Sequence, residues 1–103
     1  MRIIRELEDN IEDELCDAKK YASLALDYKD EDKSLADLYY ELANEEMGHM
    51  SRLHSKVVNV IEAYRKEKGE PPAAMMAVYE YVHKKDIEKS KDVKMLIAMY
   101  KEQ

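Results

Sequence analysis

From Leu35 to Tyr64 the chain places an apolar residue at every third or fourth position: Leu35, Leu38, Leu42, Leu53, Val57, Val60 and Tyr64. Glu46 and His49 fill the two places where an apolar residue is due. Such spacing puts all nine positions on one side of a helix, so the pattern predicts a long helix whose buried face carries a carboxylate and an imidazole. The first segment repeats in the same way at Ile4, Leu7, Ile11, Leu15, Ala18, Ala22 and Ala25, and fades at Tyr28-Lys29. The charged link Asp30-Glu31-Asp32-Lys33 follows, and Ser34 with Asp37 three residues later resembles a capping box that opens the second helix. No breaker intervenes before Gly69, a natural helix-ending residue, and Pro71-Pro72 suit an extended entry and the first turn of a third helix. That third segment is rich in Met and Tyr, and Lys89-Ser90-Lys91-Asp92 is polar enough to hold a kink. The expected architecture is all-α and a single domain over residues 1–103, with helices at about 2–28, 34–68 and 72–102.

Composition narrows the function classes. Two glycines, two prolines and 39% charged residues fit a helical chain of 103 residues, long enough to bury a core. The 17 basic and 23 acidic side chains give a net charge of −6 and alternate in sign, which argues against nucleic acid and against an anionic membrane surface as partners. No apolar run reaches the length that spans a bilayer, and the N-terminus lacks the apolar core of a signal peptide. The single cysteine, Cys16, excludes an internal disulfide framework and any Cys-x-x-Cys metal knuckle. A cytoplasmic location is the expectation. A second helix of roughly 35 residues would be about 50 Å long, more than a shorter partner and a third helix can cover. A homodimer or larger even-numbered homo-oligomer is therefore expected.

The two polar positions on the stripe carry the candidate chemistry. Burying a carboxylate and an imidazole costs several kcal/mol unless something pairs with them, and a metal ion would do so. In an antiparallel hairpin, residues equidistant from the turn lie level with each other. Glu14 and Glu46 are equidistant from residue 30, inside the charged link, as are Tyr21 and Tyr39 one heptad nearer the turn. Glu14 also belongs to the inner series Leu7, Ile11, Glu14, Ala18, Tyr21, Ala25. One hairpin thus presents Glu14, Glu46 and His49 inward near one level. Carboxylate oxygen with imidazole nitrogen suits iron, manganese or zinc rather than calcium or a soft copper site. Three ligands are too few for a two-metal centre, but two chains about a twofold axis supply four carboxylates and two imidazoles, balancing two divalent cations.

Other polar residues read more plainly. A second Glu-x-x-His at Glu80-Tyr81-Val82-His83 falls opposite Val60, about 14 residues and roughly 20 Å from Glu46, so Glu80 and His83 are expected at the surface or at an interface. The residues of the third helix level with the site, 91 to 94, are an unpromising ligand set. His54, one place past Leu53, is expected to be partly exposed. Glu45, Glu12 and Asp13 should face solvent or pair within their helix, and Asp17 could at most support a ligand. Tyr21 and Tyr39 are expected in the core, and Met47, Met50, Met75, Met76, Met95 and Met99 as packing residues. Cys16 is expected as a small buried or flanking residue.

Glu14 followed by Ala18 and Tyr21, then Leu42-Ala43-Asn44-Glu45-Glu46-Met47-Gly48-His49, resembles the first half of a ferritin-like or rubrerythrin-like bundle, over roughly the first 55 residues. The chain lacks that family's second hairpin and the Cys-x-x-Cys iron site of rubrerythrins. In size and layout it is similar to the encapsulated ferritins, single-hairpin relatives that pair two chains to build the bundle and its di-iron site. The resemblance implies a ferritin-like four-helix bundle formed by dimerisation. It also implies two irons per dimer held by Glu14, Glu46 and His49, and oxidation of Fe(II) to Fe(III) by dioxygen or hydrogen peroxide. Two alternatives stand beside it: a peroxidase or manganese catalase using the same site, and a metal-free helical scaffold in which these residues form a buried polar layer. The C-terminal Met99-Tyr100-Lys101-Glu102-Gln103 does not resemble a compartment-targeting peptide and so lends no support to residence in a protein shell.

Overall fold

The structure is a computed structural model that describes residues 1–102 as three helices: α1 (Arg2–Tyr28), α2 (Lys33–Lys68) and α3 (Ala73–Lys101). Each boundary has a local cause. Asp32 caps α2, its side chain accepting the Leu35 backbone N–H at 3.1 Å. The expected capping pair Ser34/Asp37 does not form, because Asp37 is taken by Lys33 (2.6 Å) and by the Tyr100 hydroxyl. The helix accordingly opens at Lys33 rather than Ser34. Arg65, Lys66 and Lys68 complement the negative end of the α2 dipole. Gly69 then ends the helix at φ +83, a conformation that side chains rarely adopt, and Pro72 starts α3. No kink occurs at Lys89–Asp92. The segment stays helical because Ser90 turns inward and is buried, while Lys89 reaches across to Glu12.

The helices run up, down and up. At one end the Met1 amino group lies 3.6 Å from the Met75 sulfur; at the other, Lys29 Nζ donates to the Tyr100 carbonyl at 3.0 Å. Helix α3 therefore runs alongside α1 in the same direction, resting mainly on α1 and only lightly on α2. Ile4, Ile11, Leu15, Val57 and Ile61 form the main core, with Met47, Met50, Leu53 and Tyr79 packed around it. Full burial of such side chains contributes about 1.5–3 kcal/mol each. Alanines at 18, 22 and 43 are buried midway and let the hairpin helices approach closely. Near the turn, Tyr100 stacks on Tyr40 with ring centroids 5.0 Å apart and anchors the end of α3.

The predicted stripe of α2 is not its buried face. Of the nine positions, Val57 alone is fully buried; Leu35, Leu42, Glu46, Leu53, Val60 and Tyr64 are half-buried, and Leu38 and His49 are exposed. The residues of α2 that disappear into the core are Ala36, Ala43, Val57 and Ile61. Their centre is offset from the stripe by roughly a quarter of a helical turn. Helix α2 thus has two adjoining apolar faces; α1 and α3 occupy one and leave the other half open. The rod that results measures 55 × 19 × 18 Å and exposes 6924 Å². A folded monomer of 12.1 kDa is expected to expose about 6,000 Å². No helix is long and apolar enough to cross a membrane.

Candidate metal centre

The open face of α2 borders α1, and the three polar residues meet at that border. Glu14 comes from the middle of α1, while Glu46 and His49 come from one turn of α2. Ligand atoms of all three lie within 4.8 Å of one another. His49 Nδ1 is 3.5 Å from Glu14 Oε2 and 3.5 Å from Glu46 Oε1. Glu14 and Glu46 keep only 26% and 19% of their side-chain surface, whereas His49 keeps 52% and looks outward. The hairpin register that levels Glu14 with Glu46 is visible one heptad nearer the turn, where Tyr21 and Tyr39 stack at 6.0 Å. Tyr28 extends the stack from Tyr39 at 6.1 Å. Both Tyr21 and Tyr39 are half-buried.

Electrostatics mark the cluster as unfinished. Glu46 is pushed up to about 7, first by hydrogen bonding to the Glu14 carboxyl, then by burial and by the Glu14 charge; His49 opposes the shift and Asp17 adds to it. Glu14 Oε2 is hidden from solvent and has no hydrogen-bond partner. Two crowded carboxylates with an orphaned oxygen and an adjacent imidazole nitrogen form a donor set that a divalent transition-metal ion would satisfy. Beside the cluster a groove of about 350 Å³ runs over Leu7, Glu14, His49, Arg52, Leu53 and Lys56. Both the acid–imidazole cluster and two cations therefore share the open face.

The second Glu-x-x-His stays away from this centre. Glu80 is exposed on α3. His83 is half-buried and stacks on His54 at 4.8 Å and on Tyr79 at 5.6 Å. His54 is more engaged than expected: its Nε2 is buried without a partner, and burial together with the His83 charge lowers its pKa. Around this pair lies a polar junction that sequence reasoning missed. Asp86 is buried, and burial followed by the Glu12 charge raises it; Glu8 is pushed up to about 7 by burial and then by the Asp86 charge. A cavity of about 360 Å³ between the three helices is bordered by Ile11, Met50, His54, His83, Asp86 and Ser90. Asp86 lies one turn after His83, a His-x-x-Asp spacing that was available as a signal. Cys16 is exposed, its thiol 4.0 Å from a Glu12 carboxylate oxygen.

No family model, curated protein or solved structure matches the chain.

Proposed function

We propose that two copies of this chain pair across the open face of the hairpin to build a dinuclear iron centre that oxidises Fe(II). The observation that carries the reading is the convergence of Glu14, Glu46 and His49 to within 4.8 Å on an apolar face that the chain's own third helix leaves uncovered. Glu14, Glu46 and His49 would be the residues that hold the metals. Two such half-sites give four carboxylates and two imidazoles, the ligand count of ferritin-like dinuclear sites. Iron bound there supplies one-electron chemistry, each Fe(II) giving one electron to dioxygen or hydrogen peroxide. The protein's own residues do the rest. The carboxylates would bring the negative charge that favours the higher oxidation state, and Leu7 and Leu53, which line the groove beside the cluster, would limit water around the ligands.

Elemental analysis of protein purified with iron tests the reading. About one metal per chain is expected, lost in Glu46→Ala, together with oxygen or peroxide consumption on Fe(II) addition. Absence of bound metal under every loading condition sinks it. Zinc or manganese binding without Fe(II) oxidation keeps the site and changes the chemistry, manganese-dependent peroxide breakdown being the catalase outcome. One observation favours a metal-free reading: Glu46 holds a proton up to about pH 7, and a shared proton relieves the carboxylate pair without a metal. In that case Glu46→Leu leaves stability unchanged or raises it, and the protein serves as a helical scaffold.

A further inference from the structure

Glu41, Glu45, His49, Arg52 and Lys56 follow one another along α2 at spacings of four, four, three and four, so they line one side of the helix. The order of charge is acid, acid, imidazole, base, base. Glu45 and Arg52 are equidistant from the Gly48–His49 step, and so are Glu41 and Lys56. The line is therefore self-complementary when it meets a reversed copy of itself. Inside the chain this charge is idle: among the described residues, none of the four takes part in an ion pair.

Two further observations fall at the centre of the line. Gly48 lies in the middle of a 36-residue helix, where glycine costs about 1 kcal/mol relative to alanine. A Cβ there would meet nothing within 4 Å, so no contact within the chain requires glycine. Beside it, His49 keeps 52% of its side-chain surface exposed at the edge of the Glu14/Glu46/His49 cluster, which the proposed function makes one half of a dinuclear set. The excess of exposed area, about 900 Å² above that expected for the mass, is of the size one partner buries in a standard interface, about 800 Å².

We propose that a second copy of this chain docks antiparallel along α2, with the two α2 helices meeting at Gly48–His49, each Glu45 against the partner's Arg52 and each Glu41 against the partner's Lys56. The inference rests on the proposed function for the need of a twofold mate, and adds the sense and register of the pairing. A twofold axis along the helices keeps heights instead of reversing them. It would set Glu45 at the level of the partner's Asp13 and Asp17, acid against acid, and leave the charge order of α2 without a purpose. The antiparallel sense brings unlike charges together at both ends of the seam and sets the two His49 side chains at its centre.

Charge reversal reads the register directly. Sedimentation equilibrium is run in about 0.15 M salt, with zinc(II) as a redox-silent probe and again with chelator. The samples are the wild type, Glu41→Lys/Glu45→Lys, Arg52→Glu/Lys56→Glu, and an equimolar mixture of the two variants. All four substituted positions are exposed, and helicity by circular dichroism verifies each fold. Each variant alone is expected to self-associate about tenfold or more weakly than the wild type, since attractive pairs become repulsive ones. The mixture should form heterodimers at close to wild-type affinity, and the quadruple variant carrying both reversals should recover self-association. Self-association of either variant at wild-type strength overturns the proposal, as does failure of the mixture to recover it or a wild type that stays monomeric throughout. Recovery in the mixture without zinc binding upholds the seam and rejects the metal centre; zinc binding by a dimer indifferent to these charges does the reverse.

Discussion

Glu46 is the residue at which fold and chemistry pull in opposite directions. Its pKa is raised from 4.5 to about 7 because Glu14 crowds it on a half-buried face. The folded apo protein therefore binds this proton more tightly than the unfolded chain does. The stabilising contribution is complete below about pH 4.5 and is lost as pH rises through about 7. Apo stability, measured by urea unfolding between pH 5 and 8, should fall over that window, and Glu46→Gln should flatten the fall. A second residue-scale outcome concerns Gly48. At a protein concentration low enough to keep the chain monomeric, Gly48→Ala should raise unfolding free energy by about 1 kcal/mol, because nothing near the missing Cβ resists it. Glu14, Glu46 and His49 were legible in the sequence because the hairpin register is fixed by a short charged turn, which levels residues by counting. The meeting of Glu8, His54 and Asp86 was not: the His83-x-x-Asp86 spacing marks one face of α3, but which hairpin residues that face meets depends on how α3 is rotated, and no local rule sets that rotation.

At the scale of elements, the hairpin and α3 are held by different physics. Helices α1 and α2 share an apolar seam, so Leu15→Ala, at a fully buried site, should destabilise by about 2–5 kcal/mol in chemical unfolding. Helix α3 adds a polar junction at Asp86, Ser90 and Glu8 to the apolar contacts of Met75, Tyr79, Val93 and Tyr100, while leaving Val78, Tyr81, Ile87, Met95 and Met99 exposed. Apolar residues are spread around α3, which is why its inner face could not be read from spacing; the boundaries at Gly69 and Pro72 could. Glu8 favours docking in its protonated form, so α3 should loosen as pH rises from about 4.5 through about 7, and Asp86, raised chiefly by burial, acts in the same sense. His54, lowered by burial, acts in the opposite sense on the acid side. Hydrogen exchange of α3 amides should therefore be faster, after correction for intrinsic rates, at pH 8 than at pH 6.5. Glu8→Gln with Asp86→Asn should remove most of the difference; equal protection in wild type and variant would contradict it. The α2 stripe was legible as apolar and regular, yet its position beside the core rather than in it follows from a helix with more apolar arc than one neighbour can cover.

At the scale of the molecule, the rod exposes more surface than its mass warrants. Metal and self-association should then be linked. A metal that binds only the assembled site stabilises it by about 2.7 kcal/mol when free metal is a hundred times its Kd. Thermal unfolding should shift upward with added iron or zinc, depend on protein concentration, and return to the metal-free value with chelator. A melting temperature indifferent to concentration and to metal together would remove the basis for assembly.

The stack of Tyr21, Tyr39 and Tyr28 has a consequence of a different kind. The chain has eight tyrosines and no tryptophan, so its near-ultraviolet emission is tyrosine light alone. Three of those rings form a contiguous run along the hairpin, beginning one heptad from Glu14. Iron held at the Glu14/Glu46/His49 cluster and oxidised to Fe(III) would absorb the tyrosine emission and quench it, whereas zinc, with no absorption to accept the energy, would not. On the proposed reading the unmodified protein would carry its own optical gauge: oxidation of iron at the cluster would be followed as a loss of emission, with no dye attached and no residue replaced.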